Sequence, residues 1–326
     1  MIPSGSPLLD SFAATLPALA ADRSQTSPEQ HGPNDYYGHA AVLKSFASIP
    51  QNKPLRFSIQ HGVRLDPDFW KNDYHSEHRV GVVPSQWRAE LIAPKVARTL
   101  VPIGPYIHYA APLATAEQMA EARTQLGRTL LVIPAHSTHW IDTAYDRAAF
   151  CEMLNEMRSE FHTIFVCLYW KDALRGAAEE YEQRGFPCVT AGHMFELDFL
   201  NRLRTFIELS DATISNQISS HIGYCVHLGR PHQLVSQTVS MTSAHAARMA
   251  ETSGDKRLDL PRYAELFSAP PTRITDEQRA FTGKFWGYDD VRTSDEIRAL
   301  AEEATRLHAR HRLKRWLGPL GRLMPN

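Results

Sequence analysis

Five of the 16 histidines fall in four unusually polar stretches, each placed directly after a short apolar run. The stretches are Gln60-His61-Gly62, Pro134-Ala135-His136-Ser137-Thr138-His139, Gly192-His193, and Ser215-Asn216-Gln217-Ile218-Ser219-Ser220-His221. In open parallel sheets ligands sit beyond the carboxyl ends of the strands, so these are the positions where chemistry belongs. The last stretch is the sharpest. A strand ends at Ser215-Asn216, a loop carries Ser219 and Ser220, and a helix starting there would turn free N–H groups and its dipole toward a phosphate. A helix cap needs one hydroxyl, and this stretch supplies two together with His221. His136, Ser137, Thr138 and His139 place two imidazoles and two hydroxyls in four residues, which suits a diphosphate or sugar hydroxyls. His193 joins this ligand-binding set. His61, with Gly62 freeing the backbone to turn, is positioned as a neutral imidazole general base, and Asp66 in the same loop is the carboxylate alternative. Asp66-Pro67-Asp68 also spells a pattern that can hold a divalent ion, but it lies away from the phosphate-binding stretch. His75 and His78 form another close pair without a carboxylate set at ligand spacing, so neither a metal nor a cofactor is expected.

The elements that must position these residues alternate. Strands are predicted over 54–60, 79–84 and 99–103, with helices over 39–49 and 86–97. After an Ala-rich bridge holding a helix over 116–126, strands are predicted over 129–134, 163–169, 187–191, 212–215 and 231–236. Helices over 146–160, 172–184, 195–209 and 219–228 separate them. Continuous apolar strands between amphipathic helices argue for parallel sheets covered on both faces. The fold class expected is α/β, with two Rossmann-like domains, a cleft between them and a C-terminal helical extension. The boundaries expected are 1–115 for the first domain, 116–275 for the second, and 276–326 for terminal helices and a basic tail. Residues 1–35, rich in Pro, Ser, Gly and Gln, read as a loose lead or irregular cap, and 238–275 as irregular.

Composition narrows the class. Against 36 acidic residues stand 35 basic ones, with 22% charged and 43% hydrophobic, which excludes disorder and gives no overall basic surplus for nucleic acid. The four cysteines, Cys151, Cys167, Cys188 and Cys225, sit in apolar stretches without metal-ligand or framework spacing and read as buried small hydrophobes. The N-terminus lacks a basic region followed by a long apolar run, so a cytoplasmic location is expected. From Arg306 to Asn326 the chain carries six basic residues and no acid, interleaved with Leu307, Leu313, Trp316 and Leu317. Such an end suits peripheral contact with an anionic inner membrane face, or docking of its apolar side on the protein.

The stretch SDATISNQISSHIGYCVHLGRP, the early QHG loop and the later KFWGYDDVRTSDEIR together resemble GT-B type glycosyltransferases of bacterial capsule and O-antigen synthesis, over roughly residues 36–310. A related similarity is to polysialyl- and Kdo-transferases and to the glycerophosphotransferases of wall teichoic acid synthesis. The resemblance implies that Ser219, Ser220 and His136 bind donor phosphate and that His61 is the base. His136 is followed by Ser137 where the sialyltransferase pattern has Pro. The resemblance also implies an N-terminal acceptor domain (1–115), a C-terminal nucleotide-donor domain (116–275) and a cleft between them, and as function transfer of a sugar from a nucleotide-sugar to a saccharide or lipid-linked acceptor. The sequence shows no counterpart of the helix carboxylates of retaining enzymes and no metal set, so inverting, metal-independent transfer is expected. The alternatives are a phosphotransferase using a CDP-alcohol donor, a non-catalytic nucleotide-sugar binding subunit, and an epimerase or hydrolase on the same architecture.

Overall fold

The computed structural model describes residues 3–65, 67, 74–138, 141–243 and 260–317. Its strands are β1 (Ser58–Ile59), β2 (Val80–Val83), β3 (Thr99–Pro102), β4 (Thr129–Val132), β5 (Ile141–Ala144), β6 (Thr163–Leu168), β7 (Cys188–Thr190), β8 (Ala212–Ser215), β9 (His232–Leu234) and β10 (Ser240–Ser243). They form a mixed α/β structure with two parallel sheets, one of order β1-β2-β3 and one of order β7-β6-β4-β8-β9.

The second sheet follows from its residues. Every position of β4, β6, β7 and β8 is buried, as expected where helices cover both faces of a parallel sheet. Numbered in chain order, its five strands run 3-2-1-4-5. The chain therefore moves outward from β4 through β6 to β7, then returns to the other side of β4 with β8. The carboxyl ends of β4 and β8 flank the switch point, where the connections leave in opposite directions and open a crevice. β5 and β10 pair antiparallel in a separate ribbon, Ser240 opposite Ala144, which periodicity did not predict.

Several expectations need correcting: the stretch 238–275, read as irregular, holds β10 and the helix Leu260–Phe267, and the helix expected over 195–209 starts at Phe199. The first strand spans only 58–59 rather than 54–60. Its outer edge is taken by side chains: Ile59 N–H donates to Asn34 Oδ1 at 2.8 Å, and Leu55 N–H to the Glu29 carboxylate at 3.1 Å. The helix expected over 172–184 is broken into Trp170–Leu174 and Ala177–Glu182 by Gly176, whose φ of +84° is a left-handed conformation that ends the first segment. The described part of the leading 35 residues is not loose: helices Pro7–Ala14 and Leu16–Ala20 bury Leu9, Ala13, Leu16 and Ala20, and pack beside β7. Glu29 and Lys44 form a buried ion pair that ties this segment to helix His39–Phe46.

One apolar cluster includes Ile59 and Val82 of the first sheet and Leu131 and Phe165 of the second. Helix Asp276–Trp286 packs on helix His221–His227 and on helix Gln86–Ile92. A Cβ at Gly223 would stand 2.2 Å from the Trp286 ring, so glycine there serves helix packing. The terminal helix Ser294–Trp316 is fastened near the first sheet, with Arg298 Nε donating to Ala47 O at 3.0 Å and Arg292 Nε to Pro102 O at 3.2 Å. Among the described residues no helix is long and apolar enough to cross a membrane.

Candidate active site

A cavity of about 480 Å³ opens where the carboxyl ends of the two parallel sheets meet. One wall is the loop after β1, from His61 to Leu65; the other comprises the ends of β4 and β8, with His136, Thr138, Ser219, Ser220 and His221. Six of the residues expected from sequence therefore share one space. The walls touch: Val63 N–H donates to Ser220 Oγ at 3.0 Å, and Gly62, at φ +66°, lets the loop turn toward that hydroxyl.

The imidazoles carry the chemistry. His61 lies parallel over Tyr37 (centroids 5.1 Å, interplanar angle 24°) and meets Tyr36 edge-on at 5.2 Å. Its Nδ1 is closed off from solvent and has no hydrogen-bond partner. Burial first, and the Arg64 charge second, lower its pKa to about 4, so the ring is neutral at physiological pH. His221 is buried; its Nδ1 lies 2.8 Å from Ser219 Oγ and its Nε2 has no partner. Burial, then the neighbouring His232 and His136, hold its pKa well below the usual histidine range. His136 points Nδ1 at the carbonyl of Ser137 (2.9 Å) and packs its ring 4.5 Å from Tyr169. A carbonyl can only accept, so Nδ1 is the donor in this bond.

Neither serine hydroxyl caps the helix. The helix was expected from Ser219 but starts at His221; Ser220 has helical φ of −57° and no side-chain cap bond. Their hydroxyls are committed to His221 and Val63 instead.

The remaining expected residues stand elsewhere. Ser137 is buried, donating its N–H to Asp172 Oδ2 at 2.9 Å and accepting from Thr143 N–H at 3.1 Å, so it orders the loop after β4. Asn216 joins the two strand ends at the switch point, accepting from Ala135 N–H at 2.6 Å and donating to Gln237 at 2.7 Å. Ser215 Oγ lies 2.9 Å from Nε2 of buried His232. His193 is buried against Trp170, ring centroids 4.2 Å apart, beside the helix Leu16–Ala20 rather than in the cavity lining. Asp66 and His139 lie outside the described residues, as does Asp68.

The cavity also holds residues that sequence reasoning passed over: Tyr37, His39, Arg64, Tyr169 and Tyr224. Tyr37 is a non-glycine residue at φ +57°, an uncommon conformation of the kind that collects at functional sites, and its hydroxyl lies 3.2 Å from that of Tyr169. Gly38 follows because a Cβ there would fall 2.2 Å from Leu197 O. His39 is buried with an unpartnered Nδ1, and burial lowers its pKa to about 3. The usable signal was local: Tyr36-Tyr37-Gly38-His39 is a second aromatic and imidazole cluster beside a glycine, and Arg64 lies two residues past Gly62. Among the described lining residues Arg64 is the one guanidinium or ammonium group and there is no carboxylate. Such a lining, with aromatic rings on one side and hydroxyls and imidazoles on the other, suits an anionic ligand bearing a flat or sugar-like body.

The chain is similar to the wall teichoic acid polymerase TagF. Against one TagF structure the identity is 13%, covering 79% of this chain and 69% of that one, with a TM-score of 0.41. A TagF structure soaked with CDPG gives 12%, 71% and 58%, and 0.39, so the chain spans little more than half of that polymerase chain. The S. aureus MnaA–UDP co-structure gives 11% identity over 88% of this chain and 82% of that one, with a TM-score of 0.39. No protein-family model and no curated protein matches. All four cysteines are free and buried, and burial pushes the Cys167 and Cys225 thiols up to about 12, which favours their neutral thiol form. Among the described residues no group of three or more His, Cys, Asp or Glu side chains is arranged to hold a metal ion.

Proposed function

We propose that the protein is a glycosyltransferase of GT-B type that moves a sugar from a nucleotide-sugar to a hydroxyl of a growing surface polysaccharide or a lipid-linked acceptor. The observation that carries this reading is the shared cavity, in which His61 after β1 faces Ser219, Ser220 and His221 beyond the β8 end of the switch point. In this reading the switch-point wall holds the donor phosphate through the hydroxyls, Arg64 and the imidazoles, while Tyr37, Tyr169 and Tyr224 supply faces for the base or sugar. His61 accepts the proton of the acceptor hydroxyl as that oxygen attacks the anomeric carbon from the face opposite the leaving phosphate, which inverts the centre. Its neutral state suits a base, and the anionic donor strengthens it by favouring the imidazolium. Asp66 is the alternative base. The leaving phosphate's charge is met by hydroxyl and imidazole donors, so the reading needs no metal.

The acceptor side fits a membrane-associated process. The terminal helix is seated through Ile297, Ala304 and His308, whereas its last turns leave Leu313 and Trp316 exposed, Trp316 at 82%, among Arg310, Arg312 and Arg315. Residues 318–326 lie outside the described chain. Transfer of a phosphoalcohol from a CDP donor would use the same parts, with phosphorus as the electrophile.

The deciding experiment is thermal shift and donor turnover with UDP-, GDP- and CMP-sugars and a CDP-alcohol, each in excess EDTA. Stabilisation and sugar transfer with one nucleotide-sugar are expected. Turnover of the CDP-alcohol alone would replace this reading with the phosphotransferase one; binding without turnover on any acceptor would leave a nucleotide-sugar binding subunit.

A further inference from the structure

We infer that a phosphate-bearing ligand enters this cavity together with one proton, which is taken up on Nε2 of His221. The inference rests on the reading that the cavity holds the donor phosphate, and it specifies how a lining with a single guanidinium meets that charge.

Among the described imidazoles of the lining, His221 is the one that combines a hydroxyl-bonded nitrogen with a buried, unpartnered one. It stands between the Ser219–Ser220 pair and the buried His232, lines the cavity, and has one nitrogen engaged and one without a partner. An unpaired buried polar atom costs stability, and a ligand able to satisfy it recovers that cost. The groups that face it are His136 from the end of β4, His232 from β9, Ser219 and Ser220 from its own loop, and Tyr224 one turn along its helix. His232 is held between Thr213 Oγ1 at 2.8 Å and Ser215 Oγ at 2.9 Å, so both its nitrogens are occupied. Tyr224 is kept in its phenol form by burial. No carboxylate lines the space among the described residues, so nothing there balances an imidazolium until an anion arrives.

With the anion bound, a proton from solvent forms an N–H bond at Nε2, which then donates to a phosphate oxygen. Both nitrogens of the imidazolium are donors, so Nδ1–H must donate to Ser219 Oγ. Nε2 can take that proton only if Nδ1 already carries a hydrogen, so the Ser219 hydroxyl hydrogen points outward in both states and is a second donor to the phosphate. His61 stays neutral, as a base must, and the two imidazoles divide the work: one charges on donor binding, the other waits for the acceptor. Low dielectric surroundings strengthen the new ion pair, and the buried neutral state of the free protein follows from the same cause.

The test is isothermal titration calorimetry at pH 7 in two buffers of different ionisation enthalpy. The probes are UDP-, GDP- and CMP-sugars, a CDP-alcohol and inorganic pyrophosphate. Phosphates esterified at both ends do not titrate between pH 5 and 9, so for those probes the protein is the proton acceptor. Uptake of roughly half to one proton is expected, with affinity rising about three- to tenfold per pH unit on going from pH 8 to 6. His221→Asn should abolish the uptake and flatten the pH dependence, and His61→Asn should leave both in place. Histidine ¹⁵N NMR of the intact protein should show one imidazole becoming imidazolium on ligand addition, a readout that does not need the variant to fold. Nucleotide binding without proton uptake, or uptake surviving His221→Asn, overturns the inference and leaves the donor reading standing. Uptake with pyrophosphate that His221→Asn abolishes, with no binding of any nucleotide, overturns the donor reading and keeps the proton-coupled anion site. Silence with every probe overturns both.

Discussion

The molecule encloses two groups of histidines, wholly or in part, and they share most of the features by which an active-site imidazole is usually suspected. His39, His61 and His221 line the cavity, each with a nitrogen that lacks a partner. His31, His75, His78 and His308 pack ring against ring where the terminal helix meets the first sheet, with centroids from 4.7 Å (His75–His78) to 6.0 Å (His31–His78). There too His78 Nε2 and His308 Nε2 are buried without a hydrogen-bond partner, although His308 Nε2 stands 4.0 Å from the Glu77 carboxylate, and burial lowers the His78 pKa to about 3. The difference is what surrounds them. The second group is bonded into structure: His78 Nδ1 lies 3.0 Å from Ser58 Oγ, His75 Nδ1 accepts from Glu77 N–H at 3.2 Å, and Arg315 reaches the Glu77 carboxylate at 2.9 Å. The first group faces space for a ligand, with hydroxyls and a guanidinium beside it. A neutral buried imidazole marks a site only when it borders a cavity whose other groups suit the same ligand.

Acid should produce the largest effect, because it strikes both groups. Folded pKa values near 3 for His39, His78 and His232 and near 4 for His61 and His227 lie below the unfolded value of 6.5. Below pH 6.5 the unfolded chain binds more protons than the folded one, so stability falls as pH falls, by up to about 1.4 kcal/mol per pH unit for each such residue, until the folded pKa is reached. Urea unfolding should therefore show near-constant stability from pH 8 to 7 and a steep loss between pH 6 and 4.5. A flat profile across that range would mean the rings are not held neutral.

Next in size is the loss of the base. His61→Asn should lower turnover about a hundredfold or more with donor affinity nearly unchanged, read as kcat against Kd. The same collapse in Asp66→Asn, with His61→Asn active, would move the base to that carboxylate. Replacing Ser219 and Ser220 together by Ala should weaken nucleotide binding, each lost charge-assisted bond being worth roughly 1.5 to 3 kcal/mol. Unchanged binding would end the phosphate assignment. His78→Asn is the opposite case and sharpens the contrast: it should lower unfolding stability by about 1 to 3 kcal/mol, through the lost ring packing and the lost bond to the Ser58 hydroxyl, and leave nucleotide affinity alone. The smallest effect on the fold belongs to Leu313→Ser with Trp316→Ala, both side chains being exposed. Tm should stay put while sedimentation with anionic liposomes at low salt is lost. A full-length protein that never sediments would assign those residues no membrane role.

Much of the architecture was legible because its signals are local. The runs Thr129–Val132, Thr163–Leu168 and Ala212–Ser215 are apolar enough to be buried strands, and the helix Ala116–Leu126 appears with its predicted ends, fixed by the Thr115–Gln118 capping box. The lead segment was misread because Pro, Ser and Gly suggest irregular chain, yet Leu9, Ala13 and Leu16 find an apolar surface beside β7. Within the candidate site, His61, His136 and Ser219 to His221 were visible as polar residues after apolar runs. Ser137 and His193 carry the same signal and are absorbed by Asp172 and Trp170, partners 35 and 23 residues away that no local pattern connects to them.

The sequence by itself therefore determined the alternation of strands and helices, the burial of both faces of the second sheet and the polar character of the strand ends. These depend on side-chain periodicity and backbone propensity over a few residues. Only the tertiary structure decided the 3-2-1-4-5 order, the meeting of the β1 loop with Ser220, and the arrival of Tyr37 and His39 beside His61. Which strand lies next to which is set by how crossover helices bury their apolar stripes against one another, a property of the whole packed chain, and it is this packing that turns scattered histidines into either a cavity wall or a filled core.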